Sequence, residues 1–149
     1  MKYLRKIVAA CIVCGSITAL AQAPMTSYFS QTAVLEQVVA EFDLATIRSS
    51  FGPKRDSTHR TLRDFALSTK KLDAKTMILE DGDFTYHLQL LSRGDLNRDG
   101  IEDLEICFTE KAKHGSYHAQ KSFLLTKYAP SVLAVALQFE TEGCAVFAK

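Results

Sequence analysis

Apolar positions recur with a helical period early in the chain and with a period of two across its second half. Val34, Leu35, Val38, Val39 and Phe42 fall on one face of a helix that Thr32 can cap, with Glu36 in the first turn, where the helix dipole favours an anion. Leu44, Ile47 and Phe51 either continue that helix or build a second short one from Asp43, and Gly52-Pro53 ends it in both cases. Residues 24–31 are polar and expected to be loose. Residues 54–60 read as a basic loop, and 61–67 as one or two helical turns.

From residue 76 the pattern alternates. Residues 76–80 read as a short strand, followed by Asp81-Gly82, a strong tight-turn signal. Phe84, Tyr86, Leu88 and Leu90 share one face of a second strand. Leu104, Ile106 and Phe108 alternate with Glu105, Cys107 and Thr109; residues 122–128 form another strand, and Leu133, Val135, Leu137 and Phe139 line a last one. Short, turn-rich links favour antiparallel neighbours. The expected fold is α+β, an N-terminal helical segment packed on an antiparallel meander of four or five strands.

The first 23 residues follow neither period. Lys2, Arg5 and Lys6 precede an uncharged, mostly apolar run from Ile7 to Leu20, and Ala21-Gln22-Ala23 then matches the small-x-small pattern of signal cleavage. The run of about 14 residues falls short of the ~20 that span a bilayer, which disfavours an uncleaved anchor. A lipoprotein reading at Val8-Ala9-Ala10-Cys11 leaves few apolar residues before the cysteine. The expectation is a signal peptide over 1–23 and a single domain over 24–149, periplasmic or secreted, with no membrane span after cleavage. Cleavage removes three positive charges and no negative ones, taking the balance from +1 to −2. That disfavours nucleic-acid binding by charge alone.

One segment carries metal chemistry. Residues 94–104 read Gly-Asp-Leu-Asn-Arg-Asp-Gly-Ile-Glu-Asp-Leu, with the core D-x-N-x-D-G-x-x-D. Ca2+ takes six to eight oxygens, and a chain wrapping round it must offer an oxygen at every second residue. Asp95, Asn97 and Asp99 do so, Gly100 permits the sharp turn that brings in the Ile101 carbonyl, and Asp103 closes the sphere. A helix–loop–helix calcium hand would have a bidentate Glu at the twelfth position, where this chain has Ile106 in a strand. The segment resembles the calcium loop of the FG-GAP and VCBS repeat families, matching their G-D-x-N-x-D-G-x-x-D-L pattern at every fixed position. The resemblance implies a structural calcium site with Asp95, Asn97, Asp99, Ile101 and Asp103 as ligands. It covers about a dozen residues and the strand that follows. The single copy here does not carry over those families' multi-blade propeller, which needs several neighbouring blades. The segment is also similar to that of small exported bacterial proteins bearing one such loop, a likeness that brings no activity with it.

Cys11 and Cys14 lie inside the predicted leader, which leaves Cys107 and Cys144. Export favours a disulfide between them, with two buried thiols as the rival reading. His114 and His118 are spaced for a metal on a helix, but Gly115 and Ser116 make the segment a hairpin loop. Lys54, Arg55, Arg60 and Arg63 form a basic patch, and Glu80, Asp81 and Asp83 straddle an exposed turn where carboxylates stay ionised. No complete nucleophile, base or phosphate-cradling motif is visible. The expected function is therefore a non-enzymatic calcium-binding domain with a structural or interaction role at the cell envelope, its partner a protein or other envelope component. The alternative is a binding or inhibitory module acting through residues 54–63 or 114–118, with calcium only structural.

Overall fold

The computed structural model describes residues 24–139 and 141–148; the predicted signal peptide, with Cys11 and Cys14, lies outside them. Five strands form a sequential antiparallel meander: β1 (Ser68–Leu72), β2 (Thr76–Glu80), β3 (Phe84–Gly94), β4 (Asp103–Ala112) and β5 (His118–Thr126). Two two-residue strands, β6 (Val135–Ala136) and β7 (Phe147–Ala148), pair with β5 at different points along it. Among the described residues, seven strands thus replace the expected four or five. With one α-helix and two 3-10 turns beside them, the described residues are mostly β, so the α+β class holds only roughly.

One face of the sheet is the core. Tyr86, Leu88 and Leu90 of β3 lie beside Leu104, Ile106 and Phe108 of β4 and Phe123 and Leu125 of β5. Helix α1 (Val34–Glu41) covers this face with Val34, Leu35 and Val38, and Phe42, Leu44 and Ile47 continue the cover. The ring of Phe51 sits edge-on to Phe108 at 5.0 Å between centroids. Such a contact adds about 0.5–1.5 kcal/mol beyond the area buried.

The helix starts two residues later than Thr32. Its N-cap is Ala33, and the Ser30 hydroxyl, not that of Thr32, accepts from the Ala33 amide at 3.0 Å. The next element is a separate 3-10 turn, Leu44–Thr46, capped by Asp43, whose carboxylate accepts from the Ala45 amide. A second 3-10 turn, Leu62–Phe65, carries a reciprocal capping box between Thr61 and Asp64. In the last stretch the phase differs from expectation: Ala134 and Ala136 face the core, while Phe139 is 59% exposed. The Asp43 amide donates to the Ala134 carbonyl and the Ala134 amide to Glu41, so the backbones approach closely and only small side chains fit between them.

Two irregularities shape the site. The register slips between Leu90 and Ser92, so β3 carries an extra residue opposite Ile106 and Glu105. This bulge re-aims the strand's end and places Arg93 opposite Leu104, on the core side. The second lies on the far face of the sheet, where Cys107 is joined to Cys144 with Cα atoms 5.9 Å apart. The C-terminal segment lies across that face. Gly143 sits so close to the Glu105 carboxylate and Leu91 that a Cβ there would overlap both.

Candidate metal centre

The loop of interest is the link between β3 and β4. Gly94 and Asp103 are register partners, so the ladder clamps both ends of residues 95–102 together. Within the clamp the side chains named from sequence turn back onto the loop's own amides. Asp95 accepts from the Asp99 amide at 2.8 Å through Oδ1 and from the Gly100 amide at 3.0 Å through Oδ2. Asn97 Oδ1 also accepts from the Asp99 amide, at 2.9 Å, and its Nδ2 donates to Asp99 Oδ2 at 2.8 Å. Asp99 Oδ1 in turn accepts from the Ile101 amide at 2.9 Å. Short polar side chains that capture a backbone N–H two residues on are what makes Asp and Asn turn formers. Here Asp95, Asn97 and Asp99, in alternation, wind one tight coil.

Two residues of the coil hold positive φ. Gly100 has φ 84°, in the region that only glycine enters without steric cost, and Arg98 has φ 67°. Asp103 anchors the coil to the sheet. It is wholly buried; its Oδ2 accepts from the Leu96 and Asn97 amides at 3.0 and 3.1 Å, and its Oδ1 accepts from the Thr126 hydroxyl on β5. Burial pushes its carboxyl above the ordinary value, against the pull of those hydrogen bonds.

A strap that the sequence did not announce closes the loop from outside. The Thr26 amide donates to the Gly100 carbonyl at 2.9 Å and the Glu102 amide to the Thr26 carbonyl at 2.8 Å, a parallel bridge between Thr26 and Ile101. Residues 24–31, expected to be loose, are therefore tied down, and Phe29 is buried in the core. In extended backbone a residue's own N–H and C=O point to the side opposite its neighbours' bridging groups. The Ile101 amide and carbonyl thus face away from Thr26, and the amide meets Asp99 on that side. Beneath the strap Arg93 grips Glu102 with two bonds, Nε to Oε1 at 2.7 Å and Nη2 to Oε2 at 2.8 Å, and Ser27 also donates to Glu102. The Arg93 guanidinium is the main influence holding the Glu102 carboxyl below its ordinary value.

Among the described residues, no three His, Cys, Asp or Glu side chains converge closely enough to hold a metal. The donor set nevertheless suits a hard cation. An ionised carboxylate offers about four lone-pair sites, and Asp95, Asp99 and Asp103 accept two, two and three hydrogen bonds respectively, so each keeps acceptor capacity. Asp95, Asn97, Asp99, the Ile101 carbonyl and Asp103 would hold the ion, which would supply charge neutralisation and cross-linking rather than reaction chemistry.

The other constellations are put to different uses. Arg55 donates to the carbonyls of Ile47, Ser49 and Phe51, and Arg60 pairs with Asp43, so half of the basic patch serves the fold. His118 sits at the start of β5 with its ring against Phe147 at 4.7 Å, while His114 is exposed in the preceding turn. Glu80 bridges Lys70 and Lys113, chiefly Lys70, and is held below its ordinary value. The buried Glu110 carboxylate accepts from the Gly52 amide and the Tyr117 hydroxyl, each at 3.0 Å, fastening the 51–53 turn to β4. Thr126, Arg93 and Thr26 are the parts of the site that sequence reading missed. The opposite charges of Arg93, just before the motif, and Glu102, at one of its variable positions, are a signal that could have found their pairing; nothing in the sequence marks Thr26 or Thr126.

Comparison with protein-family models, with curated proteins and with solved structures finds no match for this chain.

Proposed function

We propose that this chain is a small exported calcium-binding domain, non-enzymatic, in which one Ca2+ staples the link between β3 and β4. The observation that carries the reading is the coincidence of the D-x-N-x-D-G-x-x-D spacing with a coil whose ends are clamped by strand pairing and whose Gly100 takes the left-handed turn. The ligands are Asp95, Asn97, Asp99, the Ile101 carbonyl and Asp103, as the likeness to FG-GAP and VCBS loops implies. The disulfide between Cys107 and Cys144 supports an oxidising compartment and hence export. An interaction role at the envelope is supported by Leu96 and Phe139, both exposed, which line one groove beside the loop.

Thermal melting tests the reading. With a Kd of about 0.1–1 mM, common for extracellular modules, 5 mM CaCl2 stabilises by about 1–2 kcal/mol. That raises Tm by roughly 3–8 °C over a chelator control. Asp99→Ala, whose side chain is exposed, keeps the fold and loses the rise. An equal midpoint in calcium and chelator overturns the reading.

A further inference from the structure

The strap and the coil share the same peptide groups. Gly100 C=O and Glu102 N–H, which bind Thr26, are the two neighbours of Ile101, whose carbonyl is the one backbone ligand in the proposed set. The Ile101 C=O and the Glu102 N–H belong to one planar peptide group, so turning that carbonyl away from the coil would turn the Glu102 N–H away from Thr26. Peeling Thr26 off would leave the Ile101 peptides without the partners that orient them. Further along the strap, Ser27 donates to Glu102, and Arg93, held in place by Glu102, donates to the Ser30 carbonyl at 3.3 Å. Every one of these contacts runs through residues 100–102 or through Glu102's own partner.

Tyr28 and Ser30 are also tied to Gln37 of α1, and Phe29 is anchored in the core. We propose that the residues before them, 24–27, form a calcium-coupled clasp: a cation in the coil locks the strap onto the sheet, and the docked strap preorganises the Ile101 carbonyl for the cation. This inference rests on the calcium reading above and adds to it a regulated segment. Coupling of this kind is reciprocal, so the factor by which calcium favours docking equals the factor by which docking favours calcium. Calcium depletion then loosens residues 24–27, while Phe29 stays in the core and β2 to β5 stay paired.

Two measurements on the purified chain test it, with calcium chloride alone as the probe. Amide hydrogen exchange in 5 mM calcium against chelator should slow at Thr26 and Glu102 by about tenfold beyond any change at Leu79 in β2. Titration calorimetry should show Thr26→Pro, which deletes the N–H bound to Gly100, binding calcium about tenfold more weakly; Ser27→Ala, which keeps the backbone bridge, should lose less. Calcium binding to the unaltered chain with no differential protection at Thr26 and Glu102, and with Thr26→Pro binding as tightly, overturns the clasp and leaves the calcium site standing. No binding heat at millimolar calcium overturns both. The exchange measurement needs no variant, so a poorly folding Thr26→Pro does not shield the proposal.

Discussion

The Thr126 hydroxyl on β5 donates to Oδ1 of Asp103 on β4, its direct register partner across the ladder. This one bond joins the coil to the centre of the sheet at a carboxylate with no access to solvent. Thr126→Val keeps the shape and leaves Oδ1 without that donor. Leaving a buried acceptor unpaired costs about 1–3 kcal/mol, so urea unfolding in chelator should show a lower midpoint at an unchanged slope. A wild-type midpoint would mean that the Thr126 bond contributes nothing to stability.

Gly100 and Arg98 allow a backbone test. A Cβ at Gly100 would meet no atom within 4 Å, so the cost of Gly100→Ala comes from φ 84° alone. About 1–2 kcal/mol of stability should be lost. Arg98→Gly, at φ 67°, should shift stability the other way by a smaller amount. Equal effects of the two substitutions in chemical denaturation would contradict the left-handed turns described here.

The disulfide holds the C-terminal segment on the far face of the sheet. Cys107 and Cys144 lie 37 residues apart, and the chain-entropy estimate for a loop of that length is about 4 kcal/mol. Reduction, or the double change Cys107→Ala with Cys144→Ala, should lower stability by roughly that amount. It should also release the β7 pairing and the bond from Gln120 to the Ala145 carbonyl, seen as faster exchange after residue 140. Unchanged exchange there would show that the segment docks without its covalent tie.

Lys127 is buried at 2% exposure and its ammonium pairs with Glu41 at the end of α1. Burial pushes the Glu41 carboxyl up, but Lys127 and Gln37 together pull it further down, below its ordinary 4.5. A depressed folded pKa means that this carboxylate's contribution is complete above pH 4.5 and is lost as pH falls through the folded value. Glu41→Gln should therefore be less stable than wild type at pH 7, with the gap closing on acidification towards pH 3. A gap that stays constant with pH would contradict the pairing.

What the sequence made legible follows from which surfaces are wet. Strands β2 to β4 were readable because one face of each meets the core, so apolar residues recur at every second position. Strand β5 was read over 122–128 but runs over His118–Thr126, because Phe123-Leu124-Leu125 is buried on both faces and gives no alternation to fix its bounds. Strand β1, Ser-Thr-Lys-Lys-Leu, was not, because all five residues are exposed at the sheet's edge and carry no alternation. Edge strands bearing lysines are a common protection against unwanted pairing. The bulge at Leu90 to Ser92 was hidden for a different reason: a slip of register leaves composition untouched and shows only against the partner strand. Ala134 and Ala136 misled the reading of β6, since close backbone approach selected small residues where hydropathy pointed to Leu133, Val135 and Leu137. The coil's alternating Asp95, Asn97 and Asp99, and Asp103 that closes it, were legible from spacing. Its supports at Thr26, Arg93 and Thr126 were not, being 69, 2 and 31 residues from Asp95 in sequence and joined only by the fold.

The most direct test of the central claim is a high-resolution crystal structure of the purified protein grown in millimolar CaCl2. The account predicts one ion inside the coil, with oxygens of Asp95, Asn97, Asp99, the Ile101 carbonyl and Asp103 at about 2.3–2.6 Å. Clear density for residues 95–103 with no ion between them, and with Asp95 and Asp99 still bonded to the loop amides, would contradict it.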